Sequence, residues 1–264
     1  MNARERELAT LLNEMRRDFG VVAVKAEFEA EGTRLRELMR LKEIASKIGM
    51  NVALKIGGPE DVWGILQARD VGVSDIVAPM VESAYGLKKF LGVFNKYIPE
   101  DEREECKAAI NVETVQAYND LDNILKVGKE LGLHCVTIGR VDLTGSLGWG
   151  RDKIDSLDTY AIVESICARA KKAGFRVTMG GGVESGSWSF IGSLVAVGVL
   201  DRFETRKIIF DVSSKLMVEP VRYEAAIKSA HLFDLKWLEN KRAFYSSIAE
   251  EDAHRIPLLQ KRIQ

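Results

Sequence analysis

The chain is poor in the residues that carry disulfide, zinc and linker chemistry. Its three cysteines, Cys106, Cys135 and Cys167, are far apart and odd in number. Disulfide frameworks and zinc sites use paired or closely spaced thiols, so neither is expected here. Cys135, in an apolar run, and Cys167, on a helix face, are expected as reduced core residues. With only five prolines there is no low-complexity stretch and no linker, and no repeat other than the strand–helix period. No apolar run approaches the length of a membrane span. The first residues, Met-Asn-Ala-Arg-Glu-Arg-Glu, hold no apolar signal core, so a cytoplasmic location is expected. Charge of one sign is also missing: 38 Lys and Arg face 39 Asp and Glu, a net charge of −1. That balance argues against a general nucleic-acid or membrane surface.

What is present is globular and alternating. The 264 residues are 46% hydrophobic and 29% charged, enough for one core in one domain spanning 1–264. A charged amphipathic segment, about 3–17, precedes a β-branched strand over 21–29. Thr33 is positioned to cap a helix to about 48, with Leu35, Leu38, Met39, Leu41 and Ile44 as its buried stripe. Further strands follow at 51–56, 76–78, 108–114, from 135, 176–179, 202–205 and 208–210. Helices are expected from Pro59 to about 69, from Ser83 to about 97, over 115–131 and over 157–173. The strands are short and nearly all apolar, as in a parallel sheet buried on both faces. The repeat length favours a closed (β/α)8 barrel over an open doubly wound sheet. Residues 219–264 form a C-terminal extension of two helices, with apolar faces at Val221, Ala225 and Ile227 and at Leu232, Leu235, Leu238, Phe244 and Ile248. Trp237, Phe244 and Tyr245 there could pack on the barrel or meet a second subunit.

Two carboxylates follow successive strands. Glu113 ends Ala108-Ala-Ile-Asn-Val-Glu, and Asp142 lies in Gly139-Arg-Val-Asp-Leu-Thr-Gly-Ser-Leu-Gly148. In a parallel barrel such positions converge at the C-terminal mouth, where these folds place their chemistry. Two oxygen donors with other positions open suit Mg2+ or Mn2+. Lys25, Glu27 and Glu29 surround the end of the first strand, Lys55 ends the second, and Glu82 follows Pro79. Arg202, Glu204 and Arg206 cluster around the seventh strand. Lys55 could form an internal ion pair with Glu27 or Glu82, or hold an anion. Arg140 could grip a substrate carboxylate or phosphate with two parallel hydrogen bonds, or pair with Glu113 or Glu82. The triplet Gly180-Gly181-Gly182 offers N–H donors to an anion or makes a tight turn. The glycine-rich segment 139–156 is read as a long functional loop. A divalent metal beside anion-holding cations fits enolate chemistry on a 2-oxo acid. The proton-transfer candidates by position are Glu27, Glu29 and Glu82.

These segments resemble the HpcH/HpaI aldolase family, related to the citrate lyase β subunit. The resemblance runs from about 21 to 205. It is most specific at Val112-Glu-Thr, Leu121-Asp-Asn-Ile124, Ala78-Pro-Met-Val-Glu-Ser83 and the block 139–148. It implies a (β/α)8 barrel, oligomers built through C-terminal helices, and metal-dependent aldol cleavage or condensation, commonly with pyruvate. It matches Glu113 and Asp142 to the family's metal carboxylates and Lys55 to an arginine that contacts the pyruvyl group. The region 27–33 falls where the family carries an acidic residue and a histidine for proton transfer. The chain departs from the pattern there: His134, His231 and His254 are its only histidines, and none falls at a matching site. Arg140 also replaces a usual proline.

The reading is therefore a class II C–C lyase or aldolase acting through an enolate of pyruvate or a related 2-oxo acid, with an aldehyde partner and a homo-oligomeric assembly. Glu113 and Asp142 hold the metal. Glu27, Glu29, Lys55 and Arg140 are the catalytic candidates, and Lys55, Glu82, Arg140, Gly181 and Gly182 bind substrate. An acyl-thioester lyase like the citrate-lyase branch, and a non-catalytic metabolite- or partner-binding barrel, are the alternatives.

Overall fold

The computed structural model describes residues 1–212 and 219–263, so Gln264 of the expected extension lies outside the described residues. Eight strands close a barrel in chain order. They are β1 (Val21–Glu27), β2 (Asn51–Lys55), β3 (Asp75–Ala78), β4 (Lys107–Val112), β5 (Cys135–Gly139), β6 (Arg176–Gly180), β7 (Arg202–Glu204) and β8 (Ile208–Asp211). Helices α1 (Ala3–Phe19), α2 (Leu35–Ser46), α3 (Val62–Val71), α4 (Ala84–Tyr97), α5 (Val115–Asn119), α6 (Leu121–Leu131), α7 (Arg140–Ser146), α8 (Leu157–Lys172), α9 (Trp188–Ala196) and α10 (Pro220–Arg262) complete the chain.

The closed barrel agrees with the sequence, but its last strand is reversed. β1 through β7 pair in parallel, whereas β8 runs antiparallel to both β7 and β1. The cause is length. Only Thr205, Arg206 and Lys207 separate β7 from β8, and a parallel return needs a crossover of a dozen residues or more. The short link closes as a hairpin, in which the Thr205 N–H donates to the Ile208 carbonyl at 2.9 Å.

Strand alternation builds the barrel interior in layers, because residues two apart point the same way. Small apolar groups, among them Ala23, Ala53 and Ile209, and Val77, Ala109 and Cys135, form two buried clusters. Two residues further along β1, β4 and β5 come Lys25, Asn111 and Thr137, and two more give Glu27, Glu113 and Gly139. Apolar character thus gives way to charge on approaching the mouth. The main core lies outside the strands, where Val24, Val52, Leu54, Ile76, Ile110 and Val136 pack against the helices.

Several helices differ from the sequence expectation. The segment 139–156 is not an open loop: it holds α7 and a short 3-10 turn at Arg151–Lys153. The expected 115–131 helix is interrupted at Asp120, and α3 begins at Val62 rather than Pro59 because Asp61 caps it through the Gly64 N–H. On α2, Leu38, Leu41 and Ile44 are buried but Leu35 and Met39 are exposed. The two tail helices are one helix, α10. Its buried stripe is Tyr223, Ala226, Ile227, Ala230, Phe233 and Trp237, while Val221, Leu232, Leu235 and Leu238 face outward. The aromatic residues win the inner face because each removes more apolar area from water than a leucine. α10 packs beside α1, in the layer where a helix between β7 and β8 would otherwise lie.

Candidate active site at the barrel mouth

The C-terminal ends of the parallel strands surround a cavity of about 410 Å³. Its wall includes Lys25, Glu27, Glu29, Lys55, Glu113 and Asp142, together with Gly180, Gly181 and Gly182. Of the residues singled out from sequence, these are brought together; Glu82 and Arg140 are not among the lining groups.

Glu113 follows β4 and is 1% exposed. Its Oε1 accepts the Met80 N–H at 3.0 Å, and its Oε2 accepts the Asn111 amide at 2.9 Å. Met80 holds a φ of 52°, a left-handed conformation that a non-glycine residue keeps only when its surroundings require it. The strained peptide aims its N–H at the carboxylate. Space is cleared from β5: a Cβ on Gly139 would stand 2.5 Å from Glu113 Oε2. Burial pushes the Glu113 carboxyl upward, which Lys55 and the two hydrogen bonds offset only in part, and Asp142 adds to the rise. Asp142 is exposed on the first turn of α7.

The lysines are tied to this acidic ring. Lys25 Nζ lies 3.0 Å from Glu27 and 2.5 Å from Glu204. Burial alone would depress the Lys25 ammonium, but Glu204 and Glu27 outweigh it and hold the lysine charged, above its usual range. Lys55 Nζ lies 3.1 Å from Glu29 and 3.8 Å from Glu113. Its ammonium is also raised, because Glu113, Glu27 and Glu29 overcome the burial that opposes charge. Glu27 moves the other way: burial would raise it, yet Lys25, Lys55 and Arg206 bring it below the ordinary carboxylate range. Of the two sequence readings for Lys55, the internal ion pair is present, though with Glu29 and Glu113 rather than Glu27 or Glu82.

Arg140 is corrected by the structure. It is fully buried, pairs with Asp155, and donates from Nε to the Gly181 carbonyl at 3.1 Å. Its guanidinium lies 4.7 Å from the Phe190 ring centre, and Asp155 also accepts the Ser187 hydroxyl at 3.1 Å. The fork therefore knots the segment after β5 to the turn after β6 and presents nothing to the cavity. That knot explains Gly181, whereas a Cβ on Gly180 would meet Glu204 and one on Gly182 would meet Ile154. Gly181 sits at φ 82°, and a Cβ there would come 2.6 Å from the Arg140 backbone nitrogen. Glu82 is also corrected: beyond the Pro79–Met80 turn its side chain is exposed, away from the cavity wall.

Other wall residues were not singled out for chemistry from sequence. Asn111 carried a signal, since it lies two residues before Glu113 on the same strand. Ala230, His231 and Asp234 of α10 carried none. They reach the mouth only because the reversed β8 lets a helix from outside the repeat pack there.

The donor set can be tested for a metal. Among the described residues no group of three or more His, Cys, Asp or Glu side chains is arranged to hold an ion. Glu113 and Asp142 alone would serve, which fits a hard cation that keeps several waters and takes substrate oxygens. It does not fit a closed zinc cage. Each Glu113 oxygen accepts one hydrogen bond and retains a further lone pair.

The fold and chain agree with known proteins. An HpcH/HpaI aldolase from Desulfitobacterium hafniense DCB-2 superposes with a TM-score of 0.62 at 17% identity, covering 86% of this chain and 90% of that one. Citrate synthase SbnG gives a TM-score of 0.58 at 16% identity, covering 85% and 90%. Macrophomate synthase gives 0.56 at 15% identity, covering 88% and 91%. These identities establish shared fold. No curated protein matches the chain. The family model described as HpcH/HpaI aldolase/citrate lyase matches residues 24–180, from within β1 to the end of β6 and more than half of the sequence. The chain belongs to the HpcH/HpaI aldolase/citrate lyase family.

Proposed function

We propose that this protein is a divalent-metal-dependent carbon–carbon lyase or aldolase that works through an enolate of pyruvate or a related 2-oxo acid. The observation that carries the reading is the meeting of Glu113 and Asp142 in one cavity with Lys55, whose ammonium lies 3.8 Å from Glu113. Glu113 and Asp142 would hold Mg2+ or Mn2+. Bound there, the cation would supply Lewis-acid stabilisation of negative charge on the substrate oxygens. The chain's own groups do the remaining work. Lys55 offers a point charge to the substrate carboxylate, without the planar two-bond match an arginine would give. Gly181 and Gly182 line the cavity, and their backbone is available to the substrate carboxylate there. Glu27 and Glu29 balance the lysines, and Glu27, held below its usual range, is a weak base. Arg140 acts as a positioning residue that fixes the glycine turn and the start of α7, and with it Asp142.

The assembly expected is a homo-oligomer. Ile248, Ile256, Leu258 and Leu259 on the far half of α10 are each about half exposed, a surface a second copy would cover. The test of the metal site is Mn2+ titration by calorimetry. Wild type should bind, and Glu113→Gln and Asp142→Asn should each lose about tenfold or more in affinity while keeping the wild-type melting temperature. Unchanged affinity in both variants would remove the assignment.

A further inference from the structure

We propose that His231, contributed by the C-terminal helix, is the acid–base group of this mouth. The inference rests on the enolate reading above and names the residue that moves its proton.

Three observations carry it. First, His231 is in the cavity wall, on a helix held firmly in place. The residues on either side of its turn, Ile227, Ala230, Phe233 and Trp237, are buried against the barrel, so the exposed imidazole is carried on a fixed backbone. Second, it is the one histidine at this site. His134 lies beside Arg176 at the opposite end of the barrel, before β5, and His254 is on the exposed far half of α10. Third, several of the other ionisable groups in the wall are paired. Lys25 is clasped by Glu27 and Glu204, Lys55 by Glu29 and Glu113, and Arg206 lies 3.3 Å from Glu27. Histidine is the side chain most often used to move a proton in catalysis, and this one stands in the wall beside Asp234.

The step balances without a further reagent. A C–H bond of the pyruvate methyl group breaks, its proton forms an N–H bond on the neutral imidazole, the electron pair becomes the C2–C3 double bond, and the C2–O π pair moves onto oxygen to give the enolate. When the enolate carbon attacks an acceptor carbonyl, the imidazolium returns that proton to the new alkoxide oxygen. The nearest charged group on its own helix is Asp234, on which Lys207 and Arg206 from the β7–β8 turn, Glu31 from the β1 side and His231 itself all act; Glu27 and Arg206 also stand in the cavity wall.

The experiment is methyl-proton exchange of pyruvate in deuterated water with Mn2+ present, followed by NMR from pH 5 to 9. Wild type, His231→Gln and His231→Ala are compared, with melting temperature and Mn2+ affinity as controls. His231 is exposed, so both variants should fold and bind Mn2+ as wild type does. The expected result is a loss of about 100-fold in exchange for both variants. The wild-type fall in rate toward acid should vanish in both, and added imidazole should partly restore His231→Ala. Exchange within twofold of wild type, with the same acid limb, would overturn the role of His231 and leave the enolate reading standing. No exchange by wild type would remove both together.

Discussion

At the scale of single residues, the mouth is a problem in charge balance that the chain solves locally. Lys25, Glu27 and Glu204 are all nearly buried. Their mutual contacts replace the hydration that each would otherwise lose. Lys25→Met leaves two carboxylates facing each other without their cation, and chemical denaturation should show a loss of about 3–5 kcal/mol. The pH dependence has a definite sign. Glu27 is held below its ordinary value of 4.5, so its contribution to stability is fully present above that value. It fades as pH falls through the lower folded-state value. The stability gap between wild type and Glu27→Gln should therefore be constant from neutrality to about pH 5 and shrink below it. A gap that widened toward acid would contradict this ion-pair account.

At the scale of elements, α7 and α10 decide what the site contains. Gly181→Ala forces a side chain into a left-handed backbone and against the first peptide of α7. It should cost about 1–3 kcal/mol or more and weaken Mn2+ binding through Asp142, measured by thermal melting and calorimetry together. Trp237→Ala, at 2% exposure in the wild type, should cost about 3–5 kcal/mol and loosen the part of α10 that carries His231. These two elements also mark the limit of what the sequence revealed. The meeting of Glu113 and Asp142 in one cavity was legible because strand ends in a βα repeat point to one place. Arg140 was misread because its neighbour in sequence, Asp142, faces the cavity, while its own partner, Asp155, lies fifteen residues on and is recognisable only once α7 folds back. His231 was passed over because the antiparallel return of β8, set by a three-residue link, is what brings α10 to the mouth. Periodicity gives strands and helices, but not which helix covers an irregular closure.

At the scale of the whole molecule, the barrel supplies a rigid ring of strand ends and α10 closes the layer that the hairpin leaves open. An apolar base, a polar middle and a charged rim follow from one alternation rule applied to several strands. The family match covers the strands that carry Glu113 and Asp142, whereas α10 lies beyond it. The two carboxylates thus sit on the shared part of the barrel, and the histidine in the cavity wall comes from outside it. The central claim is that Glu113 and Asp142 support an enolate of a 2-oxo acid. The measurement that tests it most directly is pyruvate methyl exchange in deuterated water at neutral pH, with and without Mg2+ or Mn2+, for wild type and Glu113→Gln. The account predicts exchange that requires the metal and disappears in the variant. Metal-independent exchange, or exchange retained by Glu113→Gln, would contradict it.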